Sequence, residues 1–171
     1  MNYKKLFIPL FLTAVCIAST CKAQCLEPTD FIRSQGFEVD VNFSYFLESD
    51  DVRAIFWPGF PISQTFAPIW LIFDGDVGFA QPANFVFEAR TNTPGLSYTI
   101  EAFNWNDNTY EVLGSGSQSF NIDEIVTFEI DPVDHVDVNG EVRARLGWRK
   151  TGFTIVSPWQ VEVDWFAFCL D

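Results

Sequence analysis

Asn139-Gly140-Glu141-Val142-Arg143-Ala144-Arg145-Leu146-Gly147-Trp148 is the stretch that decides the fold. Val142, Ala144, Leu146 and Trp148 are apolar and two arginines stand between them, so an extended segment puts one face on a core and the other in water. Asn139-Gly140, just ahead of it, is a hairpin signal because both residues tolerate positive φ. The same period of two returns in Phe37/Val39/Val41/Phe43/Tyr45/Leu47, Phe85/Phe87/Ala89, Leu96/Tyr98/Ile100/Ala102, Val126/Phe128/Ile130 and Trp159/Val161/Val163/Trp165. Helical period is absent apart from a turn around residues 27–33. Pro58-Gly59, Asp74-Gly75, Pro94-Gly95, Asn106-Asp107-Asn108 and Gly114-Ser115-Gly116 mark further turns. The pattern predicts an all-β chain, an antiparallel β-sandwich of about nine or ten strands and of jelly-roll type. An eight-stranded closed barrel is the alternative.

Composition bounds the function. Of 171 residues, 48% are hydrophobic and 17% aromatic, which excludes a disordered polymer. Ten Lys and Arg against 23 Asp and Glu give a net charge of −13, which excludes a nucleic-acid binder without a concentrated basic patch. Residues 1–23 read as a signal peptide: Lys4 and Lys5, then an apolar run from Leu6 to Thr20, then Ala23 at a plausible cleavage point. That run is too short to be a membrane span. A lipoprotein is the competing reading, but Val15, Thr20 and Gln24 precede Cys16, Cys21 and Cys25, where lipid attachment prefers a small residue. Cleavage leaves one domain, 24–171, secreted, periplasmic or on the cell surface. It also leaves only Cys25 and Cys169, one near each end, which read as a disulfide. Closing so long a loop contributes about 5 kcal/mol in the chain-entropy model.

Several ordered motifs follow: Glu48-Ser49-Asp50-Asp51, Asn92-Thr93-Pro94-Gly95, Thr99-Ile100-Glu101, Phe103-Asn104-Trp105-Asn106 and Tyr110-Glu111-Val112. Gly140-Glu141-Val142-Arg143-Ala144-Arg145 and Pro158-Trp159-Gln160-Val161 with Asp164 complete the series. From Tyr45 to Phe168 they resemble a domain of unassigned function that recurs in secreted bacterial proteins, often near their C-termini. The resemblance implies export and transfers no activity to any residue.

The candidate chemistry begins with rings. Trp57, Trp105 and Tyr110 fall at strand ends or turns, with Asn104, Asn106 and Asp107 beside two of them. A ring beside amide and carboxylate groups suits a sugar, since the ring covers the apolar C–H face and the polar groups meet hydroxyls. Trp148, Trp159 and Trp165 lie on core parity. Arg143, Arg145, Arg149 and Lys150 form a basic stripe, read as pairing across strands with acids such as Glu101, Glu129 or Glu162, or else as a clamp for an acidic polysaccharide. Glu129/Asp131 and Glu162/Asp164 place acids at i and i+2, as glycoside hydrolases do. His135, the single histidine, reads as a surface-loop residue. Asp74-Gly75-Asp76, read as an acidic turn, makes Asp74 and Asp76 candidate ligands for a structural Ca2+. The leading expectation is a non-enzymatic module that binds an extracellular glycan or cell-surface component. A structural or adhesive surface protein is the alternative, and a small glycoside-processing enzyme ranks third.

Overall fold

A computed structural model describes residues 24–59, 67–151 and 159–170. The signal peptide expected at 1–23 lies outside the described residues, as does Pro158. The strands are β1 (Cys25–Leu26), β2 (Asp30–Gln35), β3 (Phe37–Asp40), β4 (Ala54–Trp57), β5 (Ile69–Asp76) and β6 (Pro82–Thr91). They continue with β7 (Leu96–Asn104), β8 (Thr109–Gln118), β9 (Glu124–Glu129), β10 (Glu141–Lys150) and β11 (Val161–Leu170). One sheet runs β3-β4-β11-β6-β9, with β1 paired to the end of β11, and the other runs β2-β5-β10-β7-β8. All named strand pairs are antiparallel. From β4 onward each strand crosses to the opposite sheet, except for the β7–β8 hairpin. The result sets β4-β11-β6-β9 against β5-β10-β7-β8, which is jelly-roll order. The strand count exceeds the expected nine or ten because the two-residue β1 and the edge strand β2 carry too little alternation to read.

Aromatic residues fill the space between the sheets. Phe46, Phe56, Phe73, Phe85, Phe87, Phe166 and Phe168 are completely buried, and Phe73 stacks on Phe166 at 4.1 Å between centroids. Each such burial is worth about 2–3 kcal/mol, so these seven phenylalanines are a main support of the core. Cys25 and Cys169 are directly paired between β1 and β11, with Cα atoms 3.9 Å apart, and form the expected disulfide.

Four local expectations are corrected. The run from Phe37 to Leu47 is a strand only over β3, which is an exposed edge; residues Phe43–Phe46 then form a 3-10 turn capped by Asn42. The turn brings Phe46, on the polar parity of the run, into the core. Residues 27–33 are not helical but lead into β2. Asp74-Gly75 lies inside β5 and Gly114-Ser115-Gly116 inside β8, so neither is a turn. Their glycines are there for closeness: a Cβ would sit 2.3 Å from the Phe168 ring at Gly75, 2.4 Å from Phe128 at Gly114 and 2.3 Å from the Tyr98 hydroxyl at Gly116. Finally, a register shift between Val163 and Trp165 reverses the parity of β11. Phe166 and Phe168 therefore enter the core, and Trp165 packs instead with Val86, Ala167 and the disulfide outside it.

Candidate functional site

The outer face of the five-stranded sheet gathers the groups with chemical capacity. Alternation in β10 leaves Arg143, Arg145 and Gly147 on that face. Across it, Arg143 is in register with Asp74 of β5, and Phe103 of β7 with Tyr110 of β8. One step along, Arg145 lies between Ile72 of β5 and Glu101 of β7; one step further, Gly147 lies between Trp70 and Thr99. A Cβ at Gly147 would fall 2.7 Å from the Trp70 ring, so the glycine is what lets the indole lie across β10.

Arg145 is the centre of this face. Its guanidinium stands 3.8 Å from the Tyr110 ring centroid and 4.7 Å from that of Trp70, and its Nε donates to Glu101. Arg143 donates from Nε and Nη2 to the two oxygens of Asp74, at 2.5 and 3.2 Å, and lies 5.8 Å from the Phe103 ring and 5.9 Å from the Trp105 ring. Burial pushes the Tyr110 phenol above its ordinary range, while the Arg143 and Arg145 charges pull it back. Hydrogen bonding to Asp74 holds the Arg143 guanidinium still more firmly charged. At the end of the sheet, Thr29, Asp74, Asp76, Trp105, Glu141 and Arg143 line a cleft of about 180 Å³.

The rings at that end are braced from beneath. Asn104 is buried; its Oδ1 accepts the amides of Asn106 and Asp107 at 2.9 and 3.1 Å, which shapes the hairpin, and its Nδ2 donates to Glu111 at 3.0 Å. Asn106 donates from its side chain to Asp134 at 3.0 Å, and Asp107 is exposed. Thus the two asparagines hold the turn. His135 is not a surface-loop residue. It ends the one-turn helix α1 (Pro132–His135), is 4% exposed, and its carbonyl accepts the Trp105 indole N–H at 3.2 Å. Its Nδ1 accepts the Asp131 amide at 3.3 Å, which leaves Nε2 to donate to Glu111 at 3.3 Å. Asp131-Pro132 is a helix-start signal: the Asp131 side chain caps Val133, and proline suits the first helical position.

The six ring-and-amide candidates therefore divide. Trp105, Asn104, Asn106, Asp107 and Tyr110 meet at one end of the five-stranded sheet. Trp57 lies on β4 of the other sheet, where its indole N–H reaches Gln160 at 3.4 Å. Asp74 and Asp76 share a strand face, but the Asp74 carboxylate is held by Arg143 and Asp76 accepts the Gly78 amide at 2.9 Å. The i, i+2 acids do not act as pairs: Asp131 caps α1, Glu162 binds Arg90 at 2.7 Å, and Asp164 is buried at the β11 irregularity. Sequence reading missed Trp70 and Phe103 as members of the face; the available signal was that both precede or follow core-parity residues by one.

No family model matches the chain, and no curated protein does. Solved structures do resemble it. A variant of a family 29 carbohydrate binding module superposes with a TM-score of 0.51 at 8% identity, over 86% of this chain and 85% of that one. A family 29 module described without a substitution gives 0.50 at 8%, over 86% and 89%. A further variant, complexed with mannohexaose, gives 0.50 at 8%, over 86% and 92%. At such identity the likeness is one of fold.

Proposed function

We propose that this chain is a carbohydrate-binding module whose sugar chain lies on the outer face of the five-stranded sheet, from Trp105 past Tyr110 and Arg145. One observation carries the reading: half-buried rings and guanidinium–carboxylate pairs share a single sheet face, so apolar and hydrogen-bonding surface alternate on the scale of a sugar ring. The fold supports it, since family 29 modules share it and one of them was solved with mannohexaose. Arg143 and Arg145 are already matched by Asp74 and Glu101, so they offer donors next to acceptors and suit neutral hydroxyls better than a uronate or sulfate chain. Export fits this role. The disulfide supports it, and among the described residues no helix is long and apolar enough to cross a membrane.

The test is affinity electrophoresis against neutral polysaccharides (mannan, glucomannan, hydroxyethylcellulose) and an acidic one (alginate). Tyr110→Ala should weaken retardation by a neutral polymer at least about tenfold, the scale of a stacked ring. Trp57→Ala, on the other sheet, should leave it unchanged. Binding lost with Trp57→Ala and kept with Tyr110→Ala would place the ligand elsewhere. A second reading, adhesion through a strand edge, is favoured by β3, which has no partner on its outer side among the described residues. There Phe37 and Val39 are 52% and 47% exposed, beside Trp57 at 40%. Sedimentation of the protein and of Val39→Lys tests it, since self-association through this edge should vanish in the variant.

A further inference from the structure

Trp105 is held in place through a single buried side chain. The indole N–H of Trp105 donates to the carbonyl of His135, and its backbone amide donates to the carbonyl of Asp134 at 3.0 Å, so α1 grips the ring from two sides. The shape of α1 depends in turn on the His135 imidazole. Nδ1 accepts the Asp131 amide at the start of the helix, and Nε2 donates to Glu111 of β8. The other oxygen of Glu111 accepts Asn104, which shapes the turn that carries Trp105. Helix, turn and indole are therefore closed into one circuit, and the circuit needs a lone pair on Nδ1.

We infer that His135 is a positioning residue for Trp105 and that protonation of its ring loosens the hold on the indole, so that the module grips its glycan more weakly in mild acid. An imidazolium donates from both nitrogens, so a proton on Nδ1 would face the Asp131 N–H donor across 3.3 Å. The Asp131 bond then breaks, while the Nε2 bond to Glu111 becomes charge-assisted and keeps the ring in place. The start of α1 opens and the carbonyls that hold Trp105 move with it. Other charged groups around the helix are already engaged: on it, Asp131 caps Val133 and Asp134 binds Asn106. From β10, bridged to the helix end through Val136 and Val142, come Glu141 and Arg143, and Arg143 is paired with Asp74. The side chains from β7, Asn104 and Trp105, carry no charge. Histidine is the side chain whose charge ordinarily changes between about pH 5 and 8, which sets the range to test. The consequence for binding rests on the glycan reading, whereas the hold on Trp105 is observable without a ligand.

Because the chain has a single histidine, long-range proton–nitrogen NMR spectra report on that ring alone. At about pH 7.5 they should show one neutral tautomer with its proton on Nε2. On acidification the Asp131 amide and the Trp105 indole N–H should shift with the same midpoint as the ring, and the Trp57 indole, on the other sheet, should not. In affinity electrophoresis, a neutral polysaccharide that retards the protein at about pH 7.5 should bind at least about threefold more weakly near pH 5.5, the scale of one lost hydrogen bond. His135→Gln keeps an acceptor and a donor without a titrating proton, and should flatten this profile whatever its affinity at neutral pH. Where that variant does not fold, the wild-type spectra decide. A proton on Nδ1 at neutral pH overturns the inference, as does a Trp105 indole that ignores the titration of the histidine or a flat wild-type binding profile. Failure to bind any neutral polysaccharide at about pH 7.5 overturns the glycan reading instead, and the spectra still decide whether His135 holds Trp105.

Discussion

Removing Arg145 should cost far more than an exposed ion pair implies. Its side chain is 25% exposed and that of its partner Glu101 only 10%, with Tyr110 and Trp70 closing over the guanidinium. Arg145→Ala deletes two ring contacts of about 0.5–1 kcal/mol each at a partly exposed site. It also strands the Glu101 carboxylate. Breaking a fully buried pair costs about 3–5 kcal/mol, and residual exposure reduces that here to about 1–2 kcal/mol. The expected loss is therefore about 3 kcal/mol in urea denaturation, with an unchanged m-value. Glu101→Gln keeps the shape and removes the charge. In a double-mutant cycle with Arg145→Ala, the coupling should be about 1–2 kcal/mol, above the 0.2–1 kcal/mol of exposed pairs. Arg145→Lys should recover the charge pairing but not the stacking, since an ammonium is not planar. A coupling below about 0.5 kcal/mol would refute the reasoning, because the pair would then behave as if it lay in open solvent.

Three other perturbations read the rest of the architecture. Replacing Cys25 and Cys169 by serine opens a loop of sequence separation 144, so denaturation should show a loss of up to about 5 kcal/mol; no loss would mean that the β1–β11 pairing holds the ends unaided. Gly116→Ala, which puts a methyl 2.3 Å from the Tyr98 hydroxyl, should cost about 1–3 kcal/mol by overpacking, and Ser117→Ala on the outer face within about 0.5 kcal/mol. Desolvation pushes the Asp137 carboxyl up, but the amides of Glu141 and Asn139 and the Asn139 side chain together outweigh it and hold the carboxyl below its ordinary 3.8. A lowered folded value gives stability that is present above about pH 4 and lost as pH falls through it, so Asp137→Asn should flatten that part of the stability curve relative to wild type. Parallel curves for the two proteins would show that the turn does not depend on the charge.

What could be read from sequence and what could not divide along one physical line. Alternation reports which side of a strand is apolar, and wherever a strand runs unbroken in a sheet interior, as in β6, β7 and β10, Phe85, Tyr98 and Leu146 face inward as their parity requires. A bulge carries no mark of its own in composition, so β11 could not reveal that Trp165 changes sides while Asp164 is shut in. Glycine is ambiguous for a related reason. At Gly140, φ is +90° and the turn reading holds, but at Gly75, Gly114 and Gly116 the missing Cβ makes room for a ring from another strand. Only the fold distinguishes a glycine that bends from a glycine that yields. The candidate site follows the same logic. Trp105 and Tyr110 could be paired from sequence because a four-residue turn joins their strands. Trp57 could not be separated from them, since nothing local tells which sheet a strand will join. Arg143 and Arg145 stood out as a stripe, yet an exposed basic stripe and a guanidinium clasped between two rings share one sequence. The difference is made by Gly147, which lets Trp70 fold across β10 and converts a charged surface into a face with both apolar and hydrogen-bonding character.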